Sequence, residues 1–148
     1  MHLFFSAFRR LAFDANLGAG LVVCDGSGTL VLRRPIAGFS LPRFGAACPL
    51  WPLFTALVRP MQPIEVTAEF GASGPAAPRF ILRAFGQTYY PAGYSGPELR
   101  SAMMLILPDA SGAQLPARLG LGATCRTCPR DGCLARREPS ILAGATGL

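Results

Sequence analysis

Short apolar runs separated by turn residues set the pattern of this chain. Leu21-Val22-Val23-Cys24 and Thr29-Leu30-Val31-Leu32 flank Asp25-Gly26-Ser27-Gly28, so two β-prone runs around an Asp-Gly turn predict a hairpin. Arg33-Arg34-Pro35 ends the second strand, because proline has no N–H to give a ladder. After a loop over 38–49, residues 50–58 predict a short apolar helix. Pro49 and Pro52 are tolerable in its first turn and Pro60 stops it. Leu50, Phe54, Leu57 and Val58 would be its buried stripe. Residues 64–70 alternate, with Ile64, Val66, Ala68 and Phe70 on one face, and 79–86 and 101–107 read as two further strands. Leu3, Phe4, Phe5, Phe8, Leu11 and Ala12 recur at helical spacing and predict an amphipathic helix over 1–13. The segment 87–97, with Tyr89, Tyr90 and Tyr94, reads as a loop whose tyrosines line a ligand mouth or prop the backbone.

The expected architecture is α+β: an antiparallel sheet covered on one face by helices, similar in layout to GAF and PAS sensory folds, with a Cys-rich C-terminal metal-binding tail. One regulatory, ligand-sensing domain over 1–148 is expected, with a poorly defined segment over 1–19 and the Cys-rich motif over 119–142.

Composition narrows the function. The chain has 148 residues, 51% hydrophobic and 15% charged, which suits a single folded domain rather than disorder. Its net charge is +6, and all fourteen cationic side chains are Arg, whose planar fork suits phosphate and carboxylate. The arginines are scattered, so small anionic ligands are as natural a reading as nucleic acid. The longest uncharged run, 44–58, carries two prolines and is too short to span a membrane. The odd cysteine count, five, argues against a secreted disulfide framework, so a cytoplasmic protein is expected. The one histidine is His2, which leaves no His-based triad. Phosphate loops and nucleophile elbows are also absent, and the expectation is a non-enzyme.

The chemistry concentrates at Cys125, Cys128 and Cys133, spaced C-x2-C-x4-C among Arg126, Arg130, Arg136 and Arg137. Two thiols two residues apart can face one ion across a tight turn, and a third can reach it from the next. Nearby cations favour the thiolate, the form that binds metal or reacts. A redox pair with a spare thiol, or ordinary core cysteines, remain alternatives. Cys24 and Cys48 are the other thiols. Cys24 falls on the hairpin, where a buried structural role is expected. Cys48 precedes the expected helix, whose positive end would lower its pKa.

Two stretches together carry a resemblance: Pro42-Arg43-Phe44-Gly45-Ala46-Ala47-Cys48-Pro49-Leu50-Trp51-Pro52-Leu53, and the run from Gly122 through Cys125-Arg126-Thr127-Cys128-Pro129-Arg130-Asp131-Gly132-Cys133 to Ser140. They resemble the C-terminal domain of the short-chain fatty acyl transcriptional regulators (ScfR). The resemblance covers about 21–142 of the chain. Members typically carry a helix-turn-helix and a metallopeptidase-like segment ahead of this domain. Neither pattern, including H-E-x-x-H, occurs here. The resemblance therefore implies a regulatory domain that does not itself read DNA sequence. Its partners would be an acyl-CoA-like small molecule, and a second copy or a DNA-binding partner chain, with no membrane. It also implies that Cys48 joins Cys125, Cys128 and Cys133 around one structural zinc ion, an iron–sulfur cluster being the alternative. The effector is expected between the sheet and the Trp51 helix. Arg43, Arg126 and Arg130 would meet its phosphates, and Phe44, Trp51 and Phe54, with Leu57, Leu82 and Ile106, would form apolar walls. A metal or redox sensor, or a zinc-stapled interaction module, are the competing readings.

Overall fold

The computed structural model describes residues 6, 7, 10, 13, 14, 18–110 and 119–142. The helix expected over 1–13 lies largely outside the described residues.

The hairpin forms as its sequence dictates. Strands β1 (Gly20–Asp25) and β2 (Leu30–Arg34) pair antiparallel. Asp25 Oδ1 accepts from the Ser27 amide at 2.9 Å, the Ser27 hydroxyl at 2.6 Å and the Thr29 amide at 3.2 Å, which locks the turn. Gly28 takes the positive φ of 82° that the turn requires.

Strands β3 (Ile64–Phe70), β4 (Arg79–Tyr89) and β5 (Leu99–Pro108) follow, and β6 (Leu119–Leu121) closes a six-stranded sheet of order β2-β1-β5-β4-β3-β6. Each pairing is antiparallel except β3 with β6, which is parallel. The body is thus a mixed sheet with a seven-residue helix packed on it, an α+β arrangement. The expected fully antiparallel sheet is corrected by β6.

Helix α1 (Pro52–Val58) begins two residues later than expected, with Trp51 as its N-cap and Pro52 in the first turn. The shift rotates its face. Pro52, Leu53 and Ala56 are buried, whereas Val58 is 70% exposed and Leu50, Phe54 and Leu57 are only half-buried. Gly86 explains how close the helix lies to β4: a Cβ there would stand 2.0 Å from the Ala56 carbonyl oxygen. The exit from the helix is pinned at the same place, where the Met61 amide donates to the Gly86 carbonyl at 2.8 Å.

The main core lies on the helix side of the sheet. Val22, Leu82, Met104 and Ile106 alternate inward from β1, β4 and β5 and meet Trp51, Leu53 and Ala56. Phe39 joins them, its ring 4.3 Å from that of Phe70 and edge-on to Phe80 at 5.3 Å. Burying each such side chain contributes roughly 1.5–3 kcal/mol. On the opposite face Leu21, Val23, Met103 and Leu105 are buried too. The sheet is therefore covered on both faces around β1 and β5, not on one as the strand pattern suggested. Of the loop tyrosines, Tyr89 belongs to β4, Tyr90 donates to Glu98 at 2.9 Å, and Tyr94 stands free in solvent.

Candidate metal centre

Two distant segments meet where β6 leaves the sheet. The Cys48 amide donates to the Ala123 carbonyl at 2.8 Å, and the Trp51 indole Nε1 donates to the Gly122 carbonyl at 2.9 Å. These bonds bring the Cys48 loop against the start of the Cys-rich segment. A one-turn 3-10 helix (Cys125–Thr127) then folds the chain back, and Cys48, Cys125, Cys128 and Cys133 all line one cavity of about 20 Å³. That is room for one ion-sized body as the side chains stand. Gly122 keeps the room open, because a Cβ there would lie 2.8 Å from the Cys128 sulfur. Among the described residues no three His, Cys, Asp or Glu side chains are arranged to hold a metal ion as placed. The donor set and the glycine-kept space suit a thiolate-bound metal. Cys24, buried in the sheet core, is no part of this site.

Arginines organise the segment. Arg136 donates to the carbonyls of Cys125 at 2.9 Å, Cys128 at 3.2 Å and Glu138 at 3.3 Å, and also to that of Arg130. One planar fork thus gathers the backbone of the thiol loop. Arg137 Nη2 reaches the other segment, donating to Ala47 O at 2.6 Å and Ala46 O at 3.3 Å. Neither residue was singled out as functional from the sequence, although a basic pair just after the last cysteine was a visible signal.

The thiols differ electrostatically. Burial raises the Cys48 pKa, and the neighbouring Cys125 and Cys128 add to that, against the amides of Gly122 and Leu50. This corrects the expectation of a helix-dipole-activated Cys48: it precedes the first helical residue by several positions, and burial prevails. At Cys125 burial also pushes upward, but the Arg137 amide and guanidinium and the Arg136 charge outweigh it, so its thiol lies below the ordinary value. Burial pushes Cys24 to about 11.

The expected ligand residues do not converge on one wall. Trp51 is wholly buried in the core, stacked at 6.4 Å on Phe54 and 5.5 Å from Phe39. Leu82 and Ile106 are fully buried as well, so the space between sheet and helix is packed core. Phe44 is 89% exposed, and Arg43 and Arg126 are exposed. Arg130 is engaged: it pairs with Glu69 at 2.7 Å and donates to Ser73 at 3.1 Å, which ties the thiol segment to β3. Gly120 makes way for it, since a Cβ there would overlap the guanidinium at 1.8 Å. Phe54, by contrast, does line a cavity, of about 300 Å³, between the hairpin turn, the Cys48 loop and α1. A second opening, of about 480 Å³, lies over Arg130, Asp131 and Leu134.

A fold of this kind has been seen in a regulator. The solved structure of a Mycobacterium tuberculosis transcriptional regulator superposes with a TM-score of 0.73 at 21% identity, covering 93% of this chain and 46% of that one. Residues 15–145 match the family model described as short-chain fatty acyl coenzyme A regulator, C-terminal. The chain belongs to that family, as the resemblance of its two motifs implied. Among curated proteins it is similar to the HTH-type transcriptional regulator RamB of M. tuberculosis, with 28% identity over 130 residues, 79% of this chain and 27% of that protein. It is also similar to the propionyl-CoA carboxylase regulator of Cereibacter sphaeroides, with 29% identity over 126 residues, 79% of this chain and 26% of that protein. The chain thus matches only about a quarter of each relative's length. Among the described residues no helix is long and apolar enough to cross a membrane.

Proposed function

We propose that this chain is the effector-sensing part of a bacterial transcriptional regulator. Its effector is a short-chain acyl-CoA or a related metabolite, and Cys48, Cys125, Cys128 and Cys133 hold a structural metal ion. The observation that carries the reading is the meeting of two distant segments: the cysteines of both line one cavity. The family description and the name of the C. sphaeroides relative support the ligand class. Four thiolates fill a tetrahedron around zinc and leave no open position, so the ion would staple the segment and do no chemistry on a substrate. An iron–sulfur cluster takes the same donors and would make the site a redox sensor. Of the three candidate cations, Arg43 and Arg126 are exposed, whereas Arg130 is held by Glu69. The domain is cytoplasmic, performs no catalysis, and leaves DNA reading to a partner region or chain.

Calorimetry of the folded, metal-loaded chain with acetyl-, propionyl- and butyryl-CoA tests the ligand class. Saturable binding, weakened by Arg126→Ala and by added salt, is expected. The absence of binding to all three overturns the acyl-CoA reading and leaves the interaction module.

A further inference from the structure

Resting on the reading of this chain as part of a regulator held at DNA, we infer that the loop over 42–47 and the arginines around it form a surface that lies along the phosphate backbone of duplex DNA. The sequence scatters its arginines, but the fold sorts them. Among the described residues the ion pairs are Arg79 with Asp109, Arg83 with Glu65, Arg100 with Glu98 and Arg130 with Glu69. Each of them uses a residue of β3, β4 or β5. Arg33, Arg43 and Arg137 take part in none of them and are exposed. These three gather at one loop. Arg33, on the edge strand β2, donates from Nε to the Pro42 carbonyl at 3.1 Å, which brings it to the residue before Arg43. Arg137 holds the other end of the loop through the carbonyls of Ala46 and Ala47. Phe44, 89% exposed, lies between the two anchor points.

The arrangement fits a long polyanion. Arg33 and Arg43 line none of the three cavities described above, so nothing encloses a small anion between them. Cations spaced along an exposed loop suit a partner whose charges repeat, and duplex DNA carries one per roughly 1.7 Å of its axis. Bonding Nε to Pro42 fixes the Arg33 fork and leaves its two terminal nitrogens for an outside phosphate oxygen. Such contacts position a protein on the duplex and carry no sequence information, so the reading of bases stays with the partner region or chain. That partner also keeps the loop close to DNA, where weak contacts gain from a high effective concentration.

Fluorescence anisotropy of the full chain on a labelled duplex of arbitrary sequence tests this, with salt varied between about 50 and 200 mM. Three phosphate contacts predict a log–log salt slope of about −3. Arg33→Gln should make the slope shallower by about 1, whereas Arg33→Lys, which keeps the charge, should retain it. Arg83→Gln removes the same charge from a residue paired with Glu65 and should leave the slope unchanged. No binding by the wild type at the lowest salt overturns the surface, as does a slope unmoved by Arg33→Gln. An equal loss in Arg83→Gln reduces the effect to net charge and overturns the assignment to this loop. An Arg33→Lys chain that falls as far as Arg33→Gln would mean that bracing of Pro42, not charge, is the role of Arg33, and overturns it too. Polyglutamate and phosphatidylglycerol vesicles are titrated at the same salt, and tighter binding to either than to the duplex overturns DNA as the partner. Butyryl-CoA calorimetry on the same proteins keeps the two readings apart. Arg33 is not a candidate for the effector's phosphates, so Arg33→Gln should bind butyryl-CoA as the wild type does. If the wild type binds butyryl-CoA and no duplex, the DNA surface falls and the effector reading stands. If it binds the duplex with the expected slope and no acyl-CoA, the effector reading falls and the DNA surface stands.

Discussion

The sheet-and-helix body and the thiol-bearing segment are held together by different forces. In the body, alternating side chains of β1, β4 and β5 bury completely against Trp51, Leu53 and Ala56. The segment from Gly122 to Leu142 buries few side chains. Apart from Cys125, Gly122 and Ser140, its residues are half-buried or exposed, and Leu134 is entirely in solvent. Arginine forks hold its shape instead: Arg136 on its own loop, Arg137 on the Cys48 loop and Arg130 on Glu69. Apolar burial makes a body that is stable by itself. Hydrogen bonds and one ion pair, each worth only about 0.5–3 kcal/mol net, hold the segment less firmly than apolar burial holds the body.

Leu82→Ala should lower global unfolding stability by about 2–5 kcal/mol, since a fully buried side chain leaves a cavity behind. Chemical denaturation measures it, and a loss as small as that of a surface substitution would contradict the account of the core.

Arg136→Ala sharpens the other side of the comparison. It should cost about 1–3 kcal/mol, and the loss should stay local. Amide exchange should speed up around 125–130 in the metal-free chain while β4 and β5 keep their protection. Equal loss of protection in both regions would mean that the two are one cooperative unit.

A smaller effect separates the thiols by pH. In metal-free protein, iodoacetamide followed by peptide mapping should label Cys125 at lower pH than Cys48, because the arginines hold the Cys125 thiol down and burial holds Cys48 up. Cys24 should resist longest. Its folded pKa is raised from 9.0 to about 11, so it adds stability below the ordinary value and loses it as pH climbs through that window. Labelling of Cys48 ahead of Cys125 would reverse the electrostatic assignment.

The frame was easier to read than the edge, for physical reasons. The hairpin and β3 show themselves through alternation and an Asp-Gly turn, both local signals. Strand β4 runs past Gly86 to Tyr89 because that glycine serves helix contact rather than a chain stop. Strand β6 is only three residues long and lies at the start of the stretch assigned to the Cys-rich motif, where the missing Cβ atoms of Gly120 and Gly122 make room for Arg130 and Cys128. Trp51 looked like a ligand wall, but its indole N–H has a buried carbonyl partner, which only tertiary contact reveals. The grouping of Cys48 with the distant thiols followed from the resemblance rather than from spacing. Arg136 and Arg137 stood in plain view in the sequence, but their carbonyl partners depend on a fold-back that no short-range pattern encodes.

The central claim is that thiols from both segments share one ion, and metal content per chain tests it most directly. Purified with and without air, the wild type should carry one equivalent of zinc, or iron and sulfide if the cluster alternative holds. Cys24→Ser should retain that content, while Cys48→Ser should lose most of it, as Cys125→Ser, Cys128→Ser and Cys133→Ser do. A Cys48→Ser chain that keeps its full complement of metal would contradict the account.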